Sequence, residues 1–189
     1  MRLPRDFYAR SPLEVGPELL NKVFVAGHCQ GRIVEVEAYG GGNDPASHGY
    51  RGMTLRTEVM FGPPGHLYVY FTYGMHWCAN VVCGDEGECS AVLLRALTPL
   101  MGIAEMRERR FKARRDRDLC SGPAKLAAAF GVDGSANGAD LVRATEGISV
   151  LDDMIPPPSQ PGCSARIGIT RATDRLWRWY VPDCLDLSC

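Results

Sequence analysis

The chain has 189 residues, enough for one well-cored domain and too few to expect two. With 46% apolar and 23% charged residues it has the composition of a soluble globular protein, and no apolar stretch approaches the ~20 residues that span a bilayer. A net charge of −1 excludes a chain held to nucleic acid by bulk charge alone. Met1-Arg2-Leu3-Pro4-Arg5-Asp6 lacks the apolar segment of a signal peptide, so a cytoplasmic location is expected, nucleoid-associated in a bacterium.

In chain order, Ser11-Pro12 reads as an N-cap and first turn of a short helix running towards Leu20. Lys22–Ala26 and Gly31–Tyr39 read as strands joined around Gly27. The second carries β-branched residues at alternate positions and is ended by Gly40 to Gly42. Strand alternation predicts Val34, Val36 and Ala38 on a core face, with Glu35, Glu37 and Tyr39 on the other. Gly40–Met60 is a long Gly-rich loop, a kind that is usually functional or disordered. Leu67–Tyr73 and His76–Cys83 form a predicted hairpin with Gly74-Met75 near its tip, and Cys89–Ala96 is another strand.

Thr98-Pro99 is expected to cap a helix carrying seven basic residues between Arg107 and Arg117, and Ser121-Gly122-Pro123 to open a second helix that stops at Gly131. Weaker strand signals follow at Gly147–Leu151, Ala165–Thr170 and Leu176–Val181, with Pro156-Pro157-Pro158 as a rigid connector. Strands joined by short turns, with few helices between them, predict an α+β fold: a single domain over residues 1–189, with a curved antiparallel sheet, a protruding hairpin and surrounding helices.

Eight cysteines and four histidines make no C-x2-C pair, H-E-x-x-H or zinc-finger spacing. Idle thiols, and no metal, are therefore expected. Glu37 on a strand reads as an ion-paired or a catalytic carboxylate. Arg95, among apolar neighbours, is its candidate partner, either in a structural salt bridge or holding a water for a general base. Tyr68, Tyr70 and Tyr73 are ordinary sheet formers by composition, yet Tyr73-Gly74-Met75 puts apolar bulk at a hairpin tip, where a wedge between bases would sit. His48 lies in the Gly-rich loop, a satisfied histidine or a ring lining a pocket. Extruding a nucleotide, stacking its base and delivering a water would use all of these groups.

Five blocks in sequence resemble the alkyladenine (3-methyladenine) DNA glycosylase family: residues 32–39 (Arg-Ile-Val-Glu-Val-Glu-Ala-Tyr), 44–48 (Asp-Pro-Ala-Ser-His), 60–75 (Met60 through Met75), 93–97 (Leu-Leu-Arg-Ala-Leu) and 119–126 (Leu119 through Lys125 and Leu126). The resemblance runs from about Phe7 to Val181. It implies a monofunctional DNA glycosylase that removes alkylated or deaminated purines (3-methyladenine, hypoxanthine, ethenoadenine) from double-stranded DNA in base excision repair. It implies a monomer with no cofactor and no membrane partner.

By that resemblance Glu37 is the general base and Arg95 its partner on the attacking water, which the Ile167 carbonyl also touches. Tyr39 and His48 would stack on the flipped base opposite Tyr70, and Asn80 would exclude a guanine amino group. Tyr73, with Met75 beside it, would enter the duplex, while Thr54, Arg56 and Lys125 would contact phosphate. Many relatives read Thr-Pro-Arg-Asn where this chain has Thr54-Leu55-Arg56-Thr57, which implies a looser loop after His48. A non-catalytic nucleic-acid-binding module and a nucleoside hydrolase are the competing readings. Glu35 has no assigned role beyond a structural one.

Overall fold

A computed structural model of the chain describes residues 1–188. Its axis is the strand with the strongest period-two signal, β2 (Cys29–Gly40), in an antiparallel sheet with β1 (Val23–Ala26), β3 (Leu67–Thr72), β4 (His76–Val82), β5 (Ser90–Met101), β6 (Ile148–Leu151), β7 (Gly162–Ser164) and β8 (Arg178–Tyr180). The order is β3-β4-β5-β2-β1-β6. β1 pairs with the first residues of β2, and β8 takes over that edge at Glu35–Glu37, with β7 beyond it. Since β5 runs along the other edge, the middle of β2 has a strand on each side, and Glu35 and Glu37 are fully buried.

Short helices α1 (Arg5–Tyr8), α2 (Pro12–Leu19), α3 (Ile103–Arg109) and α4 (Pro123–Phe130) complete an α+β architecture. The Ser11 hydroxyl accepts from the Leu13 amide at 3.3 Å and Pro12 fills the first turn of α2, while α4 stops at Gly131 in the left-handed region (φ 68°). One sheet face, with Leu67, Val69, Ala79, Val81, Val92 and Leu94, joins Leu19, Leu126 and Phe130 of α2 and α4 in the main core. Full burial of such side chains contributes roughly 1.5–3 kcal/mol each. The other face carries a small cluster around Tyr68 and a row of cross-strand partners, Tyr68–Asn80–Leu93–Glu37–Arg178. Paired residues share a face, so this row places polar groups opposite the core.

Strict alternation fails at one place, and the failure matters. Ile33, rather than Val34, joins Val36 in the main core. The β2–β5 ladder runs Ile33–Leu97, Glu35–Ala96, Val36–Leu94, skipping Val34 on one strand and Arg95 on the other. These are two compensating bulges, a device that re-aims a side chain.

Three other expectations are corrected. Thr98 and Pro99 do not cap a helix: β5 continues to Met101 because β2 offers partners back to Gln30. Gly102 (φ 74°) then turns the chain into α3, which ends at Arg109, so most of the basic run lies outside a helix. Arg107 pairs with Asp116 and Arg115 with Asp118, while Arg109 and Arg110 donate to the Ala129 and Leu119 carbonyls. Residues 165–170 form no strand, and their donors go to carboxylates instead of a ladder. In the turn after His48 the Thr54 amide donates to the Thr57 hydroxyl at 2.9 Å, the two hydroxyls meet at 3.0 Å, and Thr57 is buried.

At the β3–β4 tip the Met75 amide donates to the Thr72 carbonyl at 3.2 Å, with Tyr73 (φ 50°) and Gly74 (φ 66°) both left-handed. That sign pattern matches the hairpin turn whose favoured residues are Asn-Gly. A tyrosine there is strained by about 1 kcal/mol, and it is 83% exposed. The sequence therefore places an aromatic ring where turn chemistry disfavours it.

Candidate active site

Tyr68, Asn80 and Leu93 of the row opposite the core line a cleft of about 570 Å³, together with Tyr39, His48, Tyr70, Tyr73, Arg95 and Ile167. Glu37 lies beneath this lining. One of its oxygens, Oε1, meets Arg95 Nη1 at 3.1 Å and accepts from the Ile167 amide at 2.7 Å; Oε2 accepts from the Tyr39 hydroxyl at 2.9 Å. Burial and the neighbouring Glu37 carboxylate push the Tyr39 phenol well above its ordinary range, so it stays a donor.

The same arginine serves a second acid. Arg95 Nε donates to Glu35 Oε1 at 2.9 Å, and Arg178 Nε to that same oxygen at 2.7 Å. The Ser188 amide and hydroxyl donate to Glu35 at 2.6 and 2.7 Å. Burial alone would raise this carboxyl, but the Ser188 bonds, with Arg178 and Arg95, hold it below its ordinary value.

The walls are aromatic. His48 meets Tyr70 edge to face at 4.4 Å and 79°, and its Nδ1 lies 3.1 Å from the Tyr68 hydroxyl. Burial, then the nearby Arg56 guanidinium, push the His48 pKa down to about 4, so the ring is neutral at physiological pH. Tyr68 and Tyr70 stack at 5.5 Å, and Arg56 lies over Tyr70 at 5.3 Å. Asn80 Nδ2 donates to the Tyr68 carbonyl at 3.1 Å.

Behind Tyr39, Asp44 accepts from the Gly40 and Ala46 amides and from the Arg166 fork, which stacks on Tyr39 at 4.7 Å and on Trp177 at 5.1 Å. This buried pair ties the loop carrying His48 to the segment carrying Ile167.

Glu37, Arg95, Tyr39, His48, Tyr70, Asn80 and Ile167 are thus brought to one cleft, with Tyr73 at its rim. Ile167 presents its amide, not its carbonyl, to Glu37. Met75 projects from the hairpin tip at 68% exposure. The Thr54 hydroxyl is engaged by Thr57, Arg56 also donates to the Phe71 carbonyl at 3.4 Å, and Lys125 donates to Ser121 at 3.2 Å beside Pro123, which lines the cleft. Sequence reasoning missed the linking function of Glu35 and the parts played by Asp44, Arg166, Arg178 and Ser188. Two acids on one buried strand were the available signal for Glu35. The seven described cysteines are free thiols; Cys189 lies outside the described residues.

An arginine-paired carboxylate under an aromatic cleft has the elements to activate a water against a flat, stacked group. Comparison with known proteins agrees with that chemistry. Residues 6–185 match the model of a family described as methylpurine-DNA glycosylase. The chain is 55% identical over 181 residues to a protein of Burkholderia lata, covering 95% of this chain and 87% of that one. It is 49% identical over 187 residues to one from Streptomyces avermitilis (96% and 88%) and 46% over 185 to one from Chlorobaculum tepidum (95% and 87%). All three bear the name "Putative 3-methyladenine DNA glycosylase".

Proposed function

The chain belongs to the methylpurine-DNA glycosylase family, a hydrolase of the N-glycosidic bond in DNA, and from that premise we propose that it excises damaged purines from duplex DNA with Glu37 as the base that activates water. The observation that carries this reading is the fully buried Glu37, paired with Arg95 directly beneath the aromatic cleft. Glu37 takes a proton from water as its oxygen attacks the sugar C1′. The glycosidic electrons leave with the base, leaving an abasic site: a purine made cationic by alkylation departs neutral, and a neutral one departs as an anion that takes a proton from solvent to give the free purine.

Extruding the nucleotide costs a few kcal/mol, which stacking on Tyr39 and Tyr70 at ~1–3 kcal/mol per base offsets. Tyr73 fills the gap in the duplex, and the backbone strain at that exposed ring is consistent with its retention for binding. Asn80 and the neutral His48 shape the edge of the pocket. Met75, Thr54, Arg56 and Lys125 contact the DNA around it.

Incubation with duplexes each carrying one 3-methyladenine, hypoxanthine or ethenoadenine is expected to release free base and leave a strand that breaks only in alkali. Release from none of the three, or strand cleavage without alkali, would contradict the reading. In Tyr73→Asn, relief of the turn is expected to add about 1 kcal/mol of stability, or roughly 2–4 °C in Tm. Lesion-duplex affinity should fall more than single-strand affinity. A melt no higher than wild type argues against the strain, and equal losses on both DNAs argue against the wedge.

A further inference from the structure

Resting on the assignment of Glu37 as the base, we propose that Glu35 and Ser188 are positioning residues that clamp Arg95 against it. The guanidinium is held along one edge and used at the other. Nε donates to Glu35 Oε1 at 2.9 Å and to Ser188 Oγ at 3.2 Å, and Nη2 donates to Ser188 Oγ at 2.9 Å. Nη1 is directed to Glu37. A planar fork fixed at Nε and Nη2 can neither rotate nor slide, so the place of Nη1 is set by Glu35 and Ser188.

Pairing Glu37 requires one arginine. A second acid two residues along the same buried strand adds a desolvation cost. The protein meets that cost with Arg178, the Ser188 amide and the Ser188 hydroxyl, which both donates to Glu35 and accepts from Arg95. Two carboxylates and two guanidiniums give a cluster with no net charge. The bulge at Arg95 belongs to the same device, because it turns the side chain towards both acids. Glu35 and Ser188 act on the reaction through Arg95, and neither lines the cleft.

The test is single-turnover excision of one lesion from duplex DNA by Ser188→Ala, Ser188→Thr and Glu35→Asp. Lesion-duplex Kd is measured in parallel, and the burst amplitude of a separate experiment with substrate in excess counts active sites. Ser188→Ala and Glu35→Asp are expected to lower the rate constant about tenfold at full amplitude and nearly unchanged Kd, short of the ~100-fold that a 1 Å misplacement can cost. Ser188→Thr, which keeps the hydroxyl, should recover most of the rate. An unchanged rate constant in Ser188→Ala and Glu35→Asp overturns the clamp, as does reduced amplitude at a wild-type rate constant, a loss confined to Kd, or a threonine variant no better than alanine. Glu37→Gln measured alongside separates the two assignments: wild-type turnover there removes the base, whatever Ser188 does.

Discussion

Glu37→Gln is expected to abolish excision while leaving the fold and duplex binding in place. General-base catalysis contributes about 10²–10⁴-fold, so a loss near 10³-fold, about 4 kcal/mol of barrier, is the expected single-turnover result. The substitution is nearly isosteric. The amide oxygen still accepts from Arg95 and Ile167, and the amide nitrogen can donate to the Tyr39 oxygen once the Tyr39 proton, which Glu37 accepted, turns to the cleft that Tyr39 lines. Arg95 keeps Glu35 as counter-charge. Loss of activity with an unchanged melt and unchanged Kd therefore isolates the proton transfer. Turnover near wild type would remove Glu37 from the mechanism.

Asp44→Ala is expected to have the largest effect on stability. Asp44 and Arg166 have side chains with no exposed surface, and Arg166 Nε has no hydrogen-bond partner among the described residues. Removing the acid leaves a buried guanidinium without its counter-charge, at a cost of about 3–5 kcal/mol, or roughly 10 °C in Tm at 2–4 °C per kcal/mol. Activity should fall as well, because Arg166 supports Tyr39 from behind and Asp44 holds the loop that carries His48.

The pH dependence gives a second readout. Burial would raise Asp44, but the Arg166 bonds and the Gly40 and Ala46 amides bring it below its ordinary value. A depressed folded value means that the unfolded chain binds the proton first. The stabilisation is therefore present above the unfolded value of about 4 and is lost as pH falls through the folded one. Thermal melts between about pH 3 and 7 should show a shallower acid limb in Asp44→Ala. Parallel acid limbs, or a melt within a degree or two of wild type at neutral pH, would contradict the account.

What could be read from the sequence follows the range of the physics that set it. Period two made β2 and the β3–β4 hairpin legible, and a cap followed by proline made α2 and α4 legible. The bulges at Val34 and Arg95 were not, because a one-residue slip leaves composition unchanged and appears only when two strands are paired. Thr98-Pro99 read as a helix start because local capping chemistry favours one, yet the length of β2 extended β5 through it. Residues 165–170 read as a strand from their side chains, whereas the buried Arg166 and the Ile167 amide are claimed by Asp44 and Glu37 from 122 and 130 positions away. Family resemblance placed Glu37, Tyr39, His48, Tyr70 and Asn80 together. It gave no hint that Ser188, 153 positions from Glu35, closes the cluster from behind.

The central claim is that a flipped purine lies in this cleft with its C1′ facing a water held by Glu37. A crystal structure of Glu37→Gln bound to a duplex carrying one hypoxanthine tests it most directly. The account predicts the base stacked on Tyr39, Tyr73 in the space it vacated, and an ordered water between residue 37 and C1′. A lesion still stacked in the helix, or a base in the cleft with C1′ turned away from residue 37, would contradict it.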